Sequence, residues 1–284
     1  MSSRQFTQFG GSGEIVTLDN INEYDDLPPL AEIDSPDVYE IRTGELGTDY
    51  LVPMQDGSTD FNEWYSLVDG EIILNIPDSG DLRARYDATE ISVSDGDSIS
   101  TWQDETSNSY DLTGGSPIYK TDVKNGNSVV RFDRSANDDL DIGWGTLSQP
   151  WTVAFVGQLN ISEGGNQYFW SLDSGDLVGF YYNGTEWRLY AGEGFGVDDS
   201  VDSDFHVFTM TYDGGNSVVR IDGSSFSGDV GSRDMSGFNL GSRGDRDEDY
   251  LDGDIGEVLF YNQDKSNIHQ DIEQYLANKW GITI

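Results

Sequence analysis

From residue 82 onward, short apolar stretches alternate with turns, and this pattern constrains the fold more than any other feature of the chain. Turn dipeptides stand between many of the stretches, among them Asn125-Gly, Asn183-Gly and Asp222-Gly. Many short strands joined by such turns predict an all-β fold in which two antiparallel sheets form a sandwich or jelly roll. The predicted strands are 82–87, 128–133, 151–159, 167–172, 177–182, 186–191, 205–212, 217–222, 238–241 and 254–261.

The end of the chain has a different periodicity. Apolar residues recur there at helical spacing, which predicts one C-terminal helix whose apolar face packs on the sandwich. Asp264 or Ser266 can cap the start of this helix, and Gly281 ends it. The predicted apolar face consists of Ile268, Ile272, Tyr275, Leu276 and Trp280.

The N-terminal part is acidic and rich in turns. Strand-like pieces occur at 38–42, 50–54 and 71–76, and Asp-Gly turns lie between some of them. We therefore predict a small β module behind a Gly-rich N-terminal arm, with a linker at 77–80. The predicted boundaries are 1–18 for the arm, 19–80 for an attachment module and 81–284 for the sandwich.

The charge limits the partners of the chain. It has 53 acidic and 15 basic residues, a formal net charge of −38, and the acids are spread along its whole length. Such a charge repels phosphate, so we expect no nucleic-acid binding. Self-repulsion on this scale also destabilises a compact state unless salt screens it, and in molar salt the Debye length falls to about 3 Å. The composition resembles that of proteins from salt-accumulating halophiles; the alternative is an acidic, calcium-rich extracellular protein.

Several classes of site are excluded or unexpected. The chain has no cysteine, which excludes disulfides and thiolate chemistry, and its two histidines, His206 and His269, cannot form a three-His zinc site. No apolar run is long enough for a membrane helix, and the first residues lack the apolar segment of a signal peptide. We expect His206 to lie on a strand and His269 to be solvated on the helix.

Four sequence pieces, taken in order, resemble one family. They are Ile99-Ser-Thr-Trp-Gln-Asp-Glu-Thr-Ser, Val129-Val-Arg-Phe-Asp, the stretch 205–223 with its His-Val-Phe-Thr-Met-Thr-Tyr-Asp-Gly, and the stretch 252–282 that begins Asp-Gly-Asp-Ile-Gly-Glu. Together they resemble the laminin-G-like, concanavalin A-like domains of bacterial and viral proteins, over about residues 82–284. The resemblance implies a two-sheet antiparallel jelly roll that binds glycans or proteins, although some relatives are glycosidases.

The N-terminal module is similar to small β modules of phage tail-fibre proteins. The similarity lies in Asp25-Asp-Leu-Pro-Pro-Leu, the strand 38–42, and an Asp56-Gly turn followed by Trp64. An ordinary small β domain is the alternative, because Leu-Pro turns and Asp-Gly hairpins are common.

These resemblances imply a virion structural protein of a haloarchaeal tailed virus, a tail fibre or baseplate appendage. Its N-terminal region is expected to attach to other virion proteins, and its jelly roll to bind a host surface glycan or glycoprotein. We expect a homo-oligomer, a trimer, located on the virion and made without a signal peptide. The alternatives are a head turret or decoration protein with a purely structural role, and a glycan depolymerase.

No catalytic residue is predicted. Glycoside hydrolysis needs two carboxylates about 5 Å or 6.5–9.5 Å apart. Concanavalin A-like glucanases carry Glu-x-Asp-x-x-Glu on one strand, and this chain has no such run. Its nearest acidic strand, 252–257, matches the non-catalytic laminin-G pattern.

Calcium is the metal that the acidic loops could hold, since it prefers six to eight oxygen ligands. The resemblance to pentraxin-like relatives nominates Asp176, Asp245 and Asp247 in the loops 173–176 and 245–249. Other laminin-G relatives point to the loop that contains Asp199 and Asp202. The alternative is that these acids only form a halophilic surface.

Sugar rings stack on exposed aromatic side chains beside polar acceptors. Around the Asn183-Gly turn we nominate Tyr181, Trp187 and Tyr190 as ligand-binding residues, with Asp104 as an acceptor elsewhere. Trp187 is the aromatic most expected to be exposed. The alternative for each is the core, because alternate aromatics on sandwich strands usually face inward.

Overall fold

The computed structural model describes the chain in two compact units, Met1–Ser79 and Gly80–Ile284. Before residue 76 it describes only the backbone of strands, and beyond that it describes residues 76–172, 178–197, 199–244 and 249–284. The predicted module boundary at 80/81 lies one residue from the division between the units.

The first unit contains a five-stranded sheet in the order β1-β2-β3-β4-β5. The β1/β2 pair is parallel and the other pairs are antiparallel. The predicted strands 38–42 and 50–54 lie within β2 and β3, and the predicted strand 71–76 is described only at β5. The strands are β1 (Ile15–Asp19), β2 (Val38–Thr43), β3 (Gly47–Met54), β4 (Glu63–Ser66) and β5 (Ile72–Ile73).

The second unit is a sandwich of two antiparallel sheets with one helix, as predicted. The back sheet contains β6 (Leu82–Asp87), β9 (Ile118–Lys124), β10 (Asn127–Phe132), β12 (Trp151–Leu159), β17 (His206–Tyr212), β18 (Ser217–Ile221), β19 (Ser224–Gly228) and β21 (Gly253–Tyr261). The front sheet contains β7 (Thr101–Trp102), β8 (Leu112–Gly114), β11 (Leu140–Leu147), β13 (Gln167–Ser171), β14 (Gly179–Tyr182), β15 (Trp187–Tyr190), β16 (Gly194–Val197) and β20 (Met235–Leu240).

The strand order explains which parts of the sequence are most apolar. The back sheet runs β19-β18-β17-β12-β21-β10-β9, with β6 also paired to β21, and the front sheet runs β16-β15-β14-β13-β20-β11-β8-β7. The central back strands β12, β17 and β21 are buried over nearly their whole length. One of their faces meets the front sheet, and helix α1 (His269–Trp280) packs on the other side of β12 and β17.

The core between the sheets is largely aromatic. Trp151 stacks on Tyr212 with ring centroids 4.0 Å apart, and its edge meets Trp170 at 5.7 Å. Phe155 and Phe208 continue this layer at 4.8 Å. These large rings supply the buried apolar area that a strongly charged chain needs to stay compact.

Helix α1 confirms the predicted end and four residues of the predicted apolar face, whereas the fifth, Ile268, lies in the preceding 3₁₀ turn and is only partly buried. Ile272, Leu276 and Trp280 are fully buried, and Gly281 adopts the left-handed conformation at φ 62°. The helix starts later than predicted: Asp264 accepts a 2.8 Å hydrogen bond from the Ser266 backbone, but a 3₁₀ turn precedes α1. No helix among residues 76–172, 178–197, 199–244 and 249–284 is long and apolar enough to cross a membrane.

The prediction that His269 is solvated is wrong. Only 2% of the residue is exposed, because the first turn of α1 lies against the back sheet. Its Nε2 lies 2.8 Å from the Thr211 hydroxyl oxygen. Burial, followed by the charge of Arg220, lowers the His269 pKa to about 4.

A buried ion network fastens the end of α1 to the back sheet. Glu257 of β21 is fully buried and accepts hydrogen bonds from Arg85 Nε (3.1 Å), Tyr275 OH (2.8 Å) and Trp280 Nε1 (3.3 Å). Its other ion pair is with Lys279, at 2.8 Å. Asp87 of β6, also fully buried, binds the same two cations, Arg85 and Lys279. Both buried carboxylates of this network are therefore paired with cations, because an unpaired buried charge is energetically costly.

Candidate functional site

Strands β14 and β15 place the predicted ligand aromatics on opposite faces of the front sheet. Side chains alternate along a strand. Trp187 is fully buried whereas Tyr190 is partly exposed. The Trp187 ring centroid lies 5.6 Å from that of Phe180 and 5.1 Å from that of Phe208. The prediction that Trp187 is exposed is wrong, because its place in the alternation puts it on the core face.

Tyr181 belongs to a row that crosses four strands on the outer face. The pairing register joins Tyr168 to Tyr181, Tyr181 to Arg188, and Arg188 to Gly196. The Tyr168 and Tyr181 rings are stacked, with centroids 4.4 Å apart and planes 10° from parallel. Tyr181 remains partly exposed above the almost buried Tyr168.

Arg188 and Glu186 lie beside this stacked pair. Arg188 Nη1 donates a 2.8 Å hydrogen bond to Glu186 Oε1. The neighbouring edge strand β16 leaves room for both side chains, because a Cβ on Gly194 would lie 2.8 Å from Arg188 Nη2 and one on Gly196 would lie 2.7 Å from Glu186 Oε2. The two glycines thus let a charged pair lie flat along the sheet.

Tyr190 extends the outer face toward a fixed turn. The guanidinium carbon of Arg233 lies 5.5 Å from the Tyr190 ring centroid, within cation–π range. Arg233 N donates to Ala191 O at 2.9 Å, and Ala191 N donates to Val230 O at 2.7 Å. These backbone hydrogen bonds set the position from which Arg233 reaches the ring.

The far side of the stacked tyrosines is polar. Tyr168 N donates to Asp249 O at 3.3 Å, and the Asp249 carboxylate accepts a 3.2 Å hydrogen bond from Arg243 Nη1. Burial raises the Tyr181 pKa, and the charge of Arg188 opposes that rise. Tyr181 therefore stays a neutral phenol, able to donate and to accept a hydrogen bond.

We call the surface formed by Tyr168, Tyr181, Glu186, Arg188 and Tyr190 the tyrosine face. Two partly exposed rings stand there beside one cation and one carboxylate. Such a surface can stack a flat apolar face and bind hydroxyl or anionic groups next to it. The sequence predicted Tyr181 and Tyr190 but missed Tyr168, Glu186 and Arg188, because the residues that meet across strands depend on register.

Asp104 lies on a loop after β7, at the edge of the front sheet opposite β16. It is only 9% exposed, and its carboxylate accepts hydrogen bonds from Arg85 N (3.0 Å), Thr106 N (2.9 Å) and Tyr110 N (2.9 Å). These bonds shape the loop and pin it to β6. These contacts give the Asp104 carboxylate a structural role and argue against the prediction that it accepts hydrogen bonds from a sugar.

The predicted calcium ligands Asp176, Asp245 and Asp247 lie outside the described residues. The residues that flank these two loops, which we call the loop bases, are described. The two loop bases lie next to each other. Leu172 N donates to Val178 O at 3.0 Å across one base, and Leu251 N donates to Gly241 O at 2.8 Å across the other. Ser171 Oγ donates to Ser242 O at 2.9 Å and ties the two bases together.

A buried carboxylate lies at this junction. Asp139 Oδ2 accepts hydrogen bonds of 3.1 Å from Asn239 Nδ2 and 3.1 Å from Ser242 Oγ. Within the ranges that the structure describes, no three His, Asp or Glu residues are grouped closely enough to hold a metal ion. The calcium assignment remains a prediction about the two loops.

Asp202 of the other nominated loop pairs with a histidine. His206 lies on β17, as predicted, and Nδ1 is 2.6 Å from Asp222 Oδ2 while Nε2 is 3.1 Å from Asp202 Oδ1. Burial lowers the His206 pKa, but the two aspartates outweigh it and the net shift is upward. This cluster fastens the loop before β17; Asp199 only accepts a 2.8 Å hydrogen bond from Ser200 N.

The acidic strand 252–257 is occupied by structural contacts. Asp254 is 1% exposed and binds Arg131 through two hydrogen bonds of 2.7 and 2.8 Å. Asp252 accepts a 2.9 Å hydrogen bond from Asn160 Nδ2, and Glu257 belongs to the network under α1. Each of these carboxylates therefore has a partner that fixes the fold.

No family model matches the chain, and no curated protein matches it. Among solved structures it is similar to a Trypanosoma rangeli sialidase in complex with 2,3-difluorosialic acid, at 12% identity and a TM-score of 0.46, covering 89% of this chain and 46% of the sialidase. It is also similar to domain 4 of an extracellular arabinanase from Geobacillus stearothermophilus in complex with arabinotriose (15% identity, TM-score 0.44, 64% of this chain and 100% of that domain).

A third similar structure is the binding domain of botulinum neurotoxin DC in complex with SialylT. The identity is 8% and the TM-score 0.48, with 72% of this chain and 55% of that chain covered. This chain spans about half the length of the sialidases it matches. Likenesses this distant do not transfer a neighbour's ligand to this chain.

Proposed function

We propose that the second unit is a glycan-binding module and that its ligand lies on the tyrosine face. The observation that carries the proposal is the partly exposed Tyr181, which is stacked on the buried Tyr168 and lies beside Tyr190, Arg188 and Glu186. Sugar rings present C–H faces that pack on aromatic rings, and their hydroxyl groups accept from a guanidinium and donate to a carboxylate.

The geometry favours binding without a large rearrangement. The rings are fixed by β-ladder register and by stacking, and Arg188 is oriented by its bond to Glu186. Ligand binding to fixed side chains avoids the entropic cost of ordering them. A shallow face of this kind binds one sugar weakly, so we propose that the protein acts as a homo-oligomer, a trimer, which gains avidity from several copies.

For the whole chain we propose a virion structural protein of a tailed virus that infects a halophilic archaeon. The net charge of −38 and the resemblances of both parts of the sequence support this assignment. The N-terminal unit would attach the protein to a tail fibre or baseplate, and the second unit would bind a host surface glycan or glycoprotein. We propose calcium as a cofactor, with ligands from the loops 173–176 and 245–249.

We propose a binding role rather than catalysis, since the carboxylates of the strand 252–257 are engaged in structural contacts. A head turret or decoration protein, which contacts only other virion proteins, is the second candidate. It predicts that the tyrosine face has no glycan ligand. A depolymerase predicts that the bound glycan is shortened.

The test is binding of the full chain to surface glycoprotein isolated from halophilic archaeal cells, in molar salt, with and without a chelator. We expect saturable binding that Tyr181→Ala and Tyr190→Ala reduce at least tenfold, the scale of one lost aromatic contact of about 1.4 kcal/mol. Tyr110→Ala is the matched control, a partly exposed tyrosine whose ring packs on Trp144 at 5.5 Å near the opposite edge of the front sheet.

Equal binding by all three variants would overturn the assignment of the tyrosine face. Absence of binding to the glycoproteins of several hosts would favour the decoration role. Release of shortened oligosaccharides would favour the depolymerase. Loss of binding on chelation, in protein that stays folded in the chelator, would support a calcium ion that contributes to the site.

A further inference from the structure

We infer that the ligand of the tyrosine face is an acidic glycan, whose carboxylate or sulfate group is bound by Arg188 and Arg233. The inference rests on the proposed function and names the ligand class of the same site. Its basis is the position of two guanidinium groups at one aromatic ring.

Cations are rare in this chain, yet two of them border Tyr190. The chain has 15 basic residues in 284. The guanidinium carbon of Arg233 lies 5.5 Å from the Tyr190 ring centroid. A Cβ on Gly194 would lie 2.8 Å from Arg188 Nη2 and 3.6 Å from Tyr190 Cδ2, so the Arg188 guanidinium and the Tyr190 ring both lie close to this glycine. A sugar stacked on Tyr190 would therefore have both guanidinium groups within reach.

The backbone around Arg233 is built to hold it in place. The 191–193 and 230–233 segments exchange three hydrogen bonds, of 2.7, 2.9 and 2.9 Å. The Gln149 side-chain amide donates to Gly231 O and Arg233 O, both at 3.1 Å. A Cβ on Gly231 would lie 2.5 Å from Ala191 O, so the two segments touch backbone to backbone. Arg233 is thus presented from a rigid turn.

The guanidinium group of Arg188 is also oriented, in this case by the side chain of Glu186. Its Nη1 donates to Glu186 Oε1 at 2.8 Å, and 29% of the side chain is exposed. Arginine forms planar, paired hydrogen bonds with carboxylate and sulfate oxygens, which a lysine cannot reproduce. Two oriented arginines beside one ring match a sugar that carries such a group.

The net charge of the chain affects how an acidic glycan can be distinguished from a neutral one. A chain of charge −38 repels an acidic glycan at long range. In molar salt the Debye length is about 3 Å, so that repulsion is screened and only direct contacts distinguish an acidic sugar from a neutral one. The arginines at Tyr190 supply such contacts.

The experiment uses the full chain on an array of neutral, uronate-bearing and sulfated oligosaccharides in molar salt, followed by titration. The best acidic ligand is compared with its carboxyl-reduced or desulfated form. We expect the acidic form to bind at least tenfold more tightly, and Arg233→Met to remove most of that preference, since about 1.4 kcal/mol corresponds to tenfold. Arg233→Met keeps the alkyl stem that packs near Gly192, and Arg233→Lys, which keeps only the charge, should restore little.

Lys120→Met is the matched control, because it removes one positive charge from β9 in the back sheet. It should leave the preference unchanged. Melting curves establish that every variant is folded. The uronate and sulfate arms of the array identify which anionic group is bound.

The outcomes separate the two proposals. Tight binding of neutral and acidic forms alike, lost in Tyr190→Ala and unchanged in Arg188→Met and Arg233→Met, would overturn the acidic-glycan inference and keep the glycan-binding function. No binding to any oligosaccharide on the array would overturn both.

Discussion

Replacing Glu257 by glutamine should strongly destabilise the second unit, although it changes one atom. Glu257 is fully buried and accepts from two cationic groups, Arg85 at 3.1 Å and Lys279 at 2.8 Å, and from Tyr275 and Trp280. Glutamine removes the negative charge and turns one acceptor into a donor that faces other donors.

The magnitude follows from the burial of the partners. Breaking a buried ion pair from one side costs about 3–5 kcal/mol, because the remaining charge is left uncompensated. The side chains of Arg85 and Lys279 are 13% and 16% exposed and keep Asp87 as a partner, so we expect the lower end, about 3 kcal/mol. In a unit of this size that lowers the melting temperature by about 6–12 °C.

The assay is urea and thermal unfolding in molar salt, followed by tryptophan fluorescence. Glu186→Gln is the control: its side chain is 37% exposed and pairs with Arg188 on the surface, so its loss should cost at most about 1 kcal/mol. The effect of Glu257→Gln should persist from 1 to 3 M salt, since buried pairs are screened little. Equal, small effects of the two substitutions would refute the view that this network fastens α1.

Three further predictions concern titration and packing. The His206 pKa is raised, so its charged form stabilises the folded state at low pH, and this stability is lost as the pH rises through the folded-state pKa. Between pH 6 and 9 the melting temperature should therefore fall more in the wild type than in His206→Gln. The pKa of His269 is about 4, below the ordinary 6.5, so the unfolded state takes up the proton first as the pH falls. The free energy of unfolding should therefore fall by up to about 3 kcal/mol between pH 6.5 and 4, and His269→Gln should remove this pH dependence. Gly256→Ala should destabilise by about 1–3 kcal/mol, because its Cβ would lie 2.3 Å from the Trp280 ring, whereas Gly145→Ala, with no atom within 4 Å, should change unfolding curves little.

The strands that the sequence predicted are those with their own apolar pattern. The bounds 82–87 and 151–159 agree with β6 and β12 to the residue. The sequence did not predict β7, β8, β9, β11, β16 and β19 of the second unit, and of these β11, β16 and β19 are rich in glycine or serine. Neighbouring strands, rather than local propensity, hold these segments extended, and this dependence on tertiary context could not be seen in the sequence.

In the candidate site, too, some features could be predicted from the sequence and others depend on tertiary packing. Trp187 and Tyr190 are three residues apart on one strand, so the period of two already places them on opposite faces. The sequence left open which face is the core, and the packing of Trp187 against Phe208 decides it. Arg233 could not have been predicted, because a loop distant in sequence carries it to Tyr190.

The position of β21 has a consequence for how this protein is made. This strand, Gly253–Tyr261, pairs with β12, β10 and β6, and it carries Glu257 of the network under α1. The back sheet therefore lacks a central strand until residues 253–261 have been synthesised. We expect a chain cut short before residue 253 to be an aggregation-prone fragment rather than a smaller working protein.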